Sequence, residues 1–96
     1  MTKTNLVGRY AEEIRRTAHR HGAVRLRVFG SRASGIATES SDLDLLVEFE
    51  AGRDLFDLVG LKQDLEALLG CKVDVVEEEG LSPYLRERIL QESRPL

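Results

Sequence analysis

Gly30-Ser31-Arg32-Ala33-Ser34-Gly35-Ile36-Ala37-Thr38-Glu39-Ser40-Ser41-Asp42-Leu43-Asp44-Leu45-Leu46-Val47 is the stretch that decides how this chain folds. Its second half predicts a strand from Asp42 to about Phe49, with Leu43, Leu45 and Val47 on one face and Asp42, Asp44, Leu46 and Glu48 on the other. Residues two apart on a strand share a face, so the carboxylates of Asp42 and Asp44 stand together. At a separation of ~6 Å and an effective dielectric near 20, Coulomb's law gives roughly 3 kcal/mol of repulsion. Asp is also depleted in strands, so packing supplies no reason for the pair. A divalent cation would turn the repulsion into ligation, and hard oxygen donors suit Mg²⁺.

The first half supplies a complementary group. Val24-Arg25-Leu26-Arg27-Val28-Phe29 is an alternating, β-branched run that predicts a strand, ended by Gly30-Ser31. A strand, a glycine turn and a short helical segment put backbone N–H groups and a hydroxyl where phosphate oxygens can sit. A phosphate cradle beside paired carboxylates means phosphoryl or nucleotidyl transfer. The loop is not a Walker loop, because no Gly-Lys-Ser/Thr follows the first glycine.

Gly30-Ser31, ten intervening residues and Asp42-Leu43-Asp44 together resemble the DNA polymerase beta-type nucleotidyltransferase superfamily. The chain is similar in length to its smallest branch, the minimal nucleotidyltransferases (MNT). The resemblance implies an α/β (α+β) fold, a small mixed sheet flanked by helices. It also implies a third carboxylate on a neighbouring strand, and Val73-Asp74-Val75-Val76 is the matching position. By the same resemblance Asp42, Asp44 and Asp74 are catalytic and hold two Mg²⁺ ions, or Mn²⁺, while Gly30 and Ser31 hold the phosphates of ATP. Attack at the α-phosphorus would then transfer AMP and release pyrophosphate. Minimal nucleotidyltransferases resemble the antitoxin halves of toxin–antitoxin pairs, whose partner is an all-helical HEPN-type ribonuclease toxin modified by AMP on a tyrosine. Two alternatives stay open: a binding-only antitoxin with a vestigial site, and a transferase acting on a small-molecule alcohol.

Composition bounds the rest. Ninety-six residues predict one domain over 1–96, with 42% hydrophobic and 32% charged residues, ordinary for a soluble globular fold. A chain this short buries only ~60–65% of its unfolded surface, so a hetero-oligomeric partner would help it. It leaves no room for a separate acceptor-binding domain, so the acceptor is expected from outside. The net charge of −3 argues against direct nucleic-acid binding, and the cluster Arg15, Arg16, Arg20, Arg25 and Arg27 reads as a solvated surface. Cys71 is the only cysteine, which rules out an internal disulfide and fits a reducing compartment. With no apolar run of ~18 residues and no signal-peptide pattern, no membrane is expected and the protein is expected to be cytoplasmic.

The flanking elements follow from periodicity. Leu6, Tyr10, Ile14 and Ala18 predict a helix from Leu6 to Arg20, stopped at Gly22, with His19 and His21 complementing its C-terminal dipole. Asp54 is placed to cap a helix from Leu55 to Leu69, ended by Gly70. Leu58, Leu61, Leu65 and Leu68 form its stripe, while Leu55, Phe56 and Val59 widen it either for the core or for a partner surface. A buried strand is expected from Lys72 to about Glu77, with Glu77-Glu78-Glu79 as its solvated end. Ser82-Pro83 opens a last helix, which the tail Ser93-Arg94-Pro95-Leu96 terminates.

Overall fold

A computed structural model describes residues 6–34 and 41–96, the side chains of Ser31 and Ser34 excepted. The chain runs α1 (Leu6–Arg20), β1 (Ala23–Phe29), α2 (Ser31–Ser34), β2 (Leu43–Phe49), α3 (Leu55–Leu69), β3 (Val73–Glu77), a 3-10 turn (Glu78–Gly80), α4 (Pro83–Glu92) and β4 (Arg94–Pro95).

Helix ends are set by local chemistry. The Asp54 carboxylate accepts from the Phe56 N–H at 3.0 Å, and Asp57 reaches back to accept the Asp54 N–H at 2.9 Å. These bonds satisfy donors that the first turn of α3 would otherwise leave open. At the other end Gly70 takes φ 68°, a left-handed stop, and its N–H donates to the Glu66 carbonyl at 2.9 Å. In α4 the Ser82 hydroxyl accepts from the Leu85 N–H and Pro83 takes the first helical position, where its missing donor costs nothing.

The sheet order is β3-β2-β1-β4, antiparallel except for the parallel β2–β3 pair that α3 connects. Its helix-covered face carries Val28, Leu43, Leu45, Val47 and Val73, which pack with Ile14, Ala18, Leu61 and Leu65 into the core. At ~1.5–3 kcal/mol for each large apolar side chain fully buried, this layer is the main stabilising term. Helices α1 and α3 also meet through His21, whose ring lies over Gly60 and whose Nε2 is 2.7 Å from Asp64 Oδ2. His21 is therefore more than the end-of-helix residue expected from its position.

The opposite face carries Arg25, Arg27 and Phe29 on β1, Asp44, Leu46 and Glu48 on β2, and Asp74 and Val76 on β3. Its far end is covered. Leu46 is buried, and Glu78 is 5% exposed rather than solvated as its acidic run suggests. Glu78 is held between Arg25 Nη1 at 3.7 Å and Arg86 Nε at 3.5 Å, so opposite charge lets a carboxylate enter the interior. The tail does not simply end the helix either: β4 pairs with Arg27 and Val28. Arg27 is no free surface cation, since its Nε donates to the Ser93 hydroxyl at 2.6 Å. These contacts hold α4 against one end of the face and leave the other end, where β2 and β3 begin, accessible.

Candidate active site

Asp44 and Asp74 are register partners across the parallel β2–β3 pair, so their side chains leave the sheet on the same face. Asp42 precedes β2, exposed at the strand mouth, two residues from Asp44. Asp42 and Asp74 both act on Asp44. The Asp44 carboxyl is pushed above its ordinary range, first by burial, then by the charges of Asp74 and Asp42 and by a hydrogen bond with Asp74, against a smaller opposing pull from Lys72. All three aspartates expected at one site are thus brought to one end of one face.

Local structure fixes this placement. The N–H of Leu43 donates to the Lys72 carbonyl at 2.9 Å, which sets the register one residue before Asp44 meets Asp74. A second lock comes from α3. Lys62 Nζ donates to the Val73 carbonyl at 2.8 Å and Glu66 Oε2 accepts the Val73 N–H at 3.0 Å, gripping both sides of the residue before Asp74. That backbone N–H is the largest of the influences that hold the Glu66 carboxyl below its ordinary range. Neither residue stands out in the sequence, where the pair reads as an ordinary i,i+4 contact on a helix.

Gly30 closes the site from the β1 side. It adopts φ 74°, a conformation that strains any residue with a side chain, and a Cβ there would collide with Asp44 Oδ2. The glycine therefore serves both the turn and the close approach of backbone to carboxylate. The Ala33 N–H donates to the Gly30 carbonyl at 3.2 Å, starting α2 at the edge of the acidic cluster. The backbone of Ser31 begins that helix; its hydroxyl, the second expected phosphate ligand, lies outside the described atoms.

The donor set fits a hard divalent cation: carboxylate oxygens, mutually repelling, on an accessible rim. Among the described residues, no three His, Cys, Asp or Glu side chains already form a metal-holding cluster. Asp44 instead hydrogen-bonds Asp74. Sequence reasoning also missed Arg32, which follows the Gly-Ser step and whose Nη2 donates to the Ser41 carbonyl at 2.7 Å.

Comparison with known proteins places this geometry among relatives. The Nucleotidyltransferase domain profile matches residues 10–96. A Methanocaldococcus jannaschii protein provisionally named a protein adenylyltransferase is 47% identical over 74 residues, covering 77% of this chain and 80% of that one. The protein adenylyltransferase MntA of Thermococcus cleftensis is 41% identical over 73 residues, covering 76% and 74%. A solved structure provisionally named a minimal nucleotidyltransferase superposes with a TM-score of 0.86 at 55% identity, covering 100% and 97%. A chain from the complex of a tri-AMPylated Shewanella oneidensis HEPN toxin with its MNT antitoxin gives 0.67 at 20% identity, covering 86% and 65%, a likeness of fold alone.

Proposed function

This chain belongs to the nucleotidyltransferase domain family, and from that premise we propose that it is a Mg²⁺-dependent protein adenylyltransferase, an antitoxin that moves AMP from ATP to a tyrosine of a HEPN-type toxin. The observation that carries the reading is the convergence of Asp42, Asp44 and Asp74 beneath a glycine whose missing side chain leaves Asp44 uncovered. Its relatives named as protein adenylyltransferases support the same reaction class. The toxin as acceptor is supported by the fold shared with the MNT–HEPN complex.

Asp42, Asp44 and Asp74 would hold Mg²⁺, which when bound neutralises phosphate charge and makes the acceptor hydroxyl a better nucleophile. The Gly30 amide and the Ser31 hydroxyl would hold the β- and γ-phosphates. That leaves the α-phosphorus facing the carboxylates. The tyrosine oxygen attacks it, an O–P bond forms as the bridge to the β-phosphate breaks, and pyrophosphate leaves. A carboxylate oxygen of Asp74 takes the hydroxyl proton. Catalysis on this scheme is positioning and charge compensation.

Leu55 and Phe56 of α3 are 71% and 85% exposed, and Val59 is exposed beside them. The core does not use these residues, and an apolar patch of this kind suits a protein partner. Incubation with labelled ATP, Mg²⁺ and the product of the adjacent gene tests the proposal. Label on a tyrosine of that product supports it. Neutralised toxin with no added nucleotide mass means an antitoxin that acts by binding alone.

A further inference from the structure

Arg32 is the only Lys or Arg in the sequence between Gly30 and Asp42. It lies on α2, directly after Gly30-Ser31, and its Nη2 donates to the carbonyl of Ser41, the residue before Asp42. The rest of its guanidinium is poorly served. Nε and Nη1 are sealed from solvent, and no oxygen or nitrogen acceptor among the described residues reaches them. Its near neighbour is the thiol of Cys71, which burial pushes up and which the charge of Arg32 and a hydrogen bond with it pull down.

Sealing most of a charged guanidinium with a weak thiol acceptor as its nearest further partner is expensive. An apolar side chain of similar length would avoid that cost and often stabilises a fold when it replaces a buried charge. The fold nevertheless keeps the arginine, and one directed contact is what it returns: a 2.7 Å bond on the peptide that leads into Asp42. One residue further on, the Leu43 N–H reaches the Lys72 carbonyl and β2 begins. Asp42 is exposed and lies outside β2, so the ladder alone does not fix its carboxylate.

We propose that Arg32 is a positioning residue: by holding the Ser41 carbonyl it sets where the Asp42 carboxylate stands relative to Asp44 and Asp74, and so how tightly the site takes a divalent ion. The inference rests on the proposed function in one respect, that the three carboxylates take such an ion. It adds that the strand-to-helix turn and the acidic cluster are joined by a side chain as well as by the chain itself. Groups that orient metal-binding side chains from behind commonly change metal affinity 10–100-fold when removed.

The test compares wild type with Arg32→Met, which keeps the length and removes the charge, and Arg32→Lys, which keeps the charge and removes the planar fork. Three readings are taken: Tm, amide exchange at Leu43 without metal, and Mn²⁺ affinity by titration calorimetry. Arg32→Met is expected to melt at or above the wild-type temperature while Leu43 exchanges about tenfold faster. Mn²⁺ binding should weaken at least about tenfold in both variants. A merely structural arginine would lower Tm and leave the metal affinity of the folded protein alone. Folded variants with wild-type Leu43 exchange and wild-type Mn²⁺ affinity overturn the proposal, and if Arg32→Met does not fold, Arg32→Lys decides it. Wild-type protein that takes up no Mn²⁺ removes the metal from the proposed function, whereas Leu43 exchange in the metal-free protein still decides whether Arg32 holds the Asp42 segment.

Discussion

Asp44 and Asp74 face each other across the parallel β2–β3 pair, and Asp74 makes Asp44 harder to ionise. The arrangement places charge where folding alone would avoid it. Replacing Asp44 with Asn removes the repulsion and is expected to stabilise the metal-free protein by about 1 kcal/mol, the partial exposure of the site keeping the figure small. In a domain of this size that is a rise of ~4–8 °C in Tm. The same variant should lose most of the stabilisation that Mg²⁺ or Mn²⁺ gives the wild type. Differential scanning fluorimetry with and without metal measures both, and a metal response unchanged in Asp42→Asn/Asp44→Asn places the ion elsewhere.

The pH dependence follows from the same pair. A carboxyl whose folded pKa lies above its unfolded value holds its proton longer in the folded state, so its contribution to stability falls as pH rises. For Asp44 the loss begins near the ordinary carboxylate pKa and is complete above the raised folded one. The stability difference between Asp44→Asn and wild type should therefore widen as pH rises through this window and then level off. Urea unfolding of metal-free protein between pH 4 and pH 7 gives the curve; a difference that narrows with rising pH would contradict the sign.

Gly30→Ala should damage the site and the fold together. The new side chain must occupy φ 74° and would overlap the Asp44 carboxylate. A left-handed non-glycine residue costs roughly 1–2 kcal/mol, and displacement of Asp44 should lower AMP transfer at least about tenfold. Pairing the substitution with Asp44→Ala tests the contact itself. Relief of the overlap should make the double variant more stable than the sum of the single changes predicts.

Much of this architecture was legible before any coordinates. The bounds of α1 and α3 follow from apolar spacing with Gly and Asp punctuation; the Asp42–Asp44 pair follows from strand alternation, and Asp74 from the family resemblance. Glu78 was hidden because burial of an acid depends on Arg25 and Arg86, which are remote in sequence and brought to it by β1 and α4. Arg32 and the Lys62–Glu66 grip on Val73 were hidden for a related reason: each acts on a backbone group of another element. Periodicity reports which face a side chain takes. It carries no information about which remote carbonyl that side chain will reach.

Glu78 yields its own prediction. Glu78→Ala leaves Arg25 and Arg86 without their shared acceptor and is expected to cost about 1–2 kcal/mol, below the figure for a wholly buried pair because both arginines are half exposed. The loss should appear as faster amide exchange through α4, which buries no side chain of its own, with the α1 and α3 amides little changed. Uniform loss of protection across all helices would mean that α4 is not separately anchored by this contact.

The last prediction separates binding from chemistry. Phe56 is 85% exposed on α3, flanked by Leu55 and Val59, while the aspartates stand on the opposite face of the sheet. Phe56→Ser should leave the Tm of the isolated chain within about 0.5 kcal/mol of wild type, as expected of a surface substitution. If α3 is the contact surface, the same change should weaken association with the toxin by about 2 kcal/mol, the scale of a central aromatic anchor. Asp42→Asn/Asp44→Asn should show the reverse pattern, with association kept and AMP transfer lost. Co-expression, pull-down and intact-mass measurement of the toxin read both variants together. Loss of transfer without loss of association in Phe56→Ser would remove α3 from the docking surface, and AMP added by the double aspartate variant would remove the acidic cluster from the chemistry.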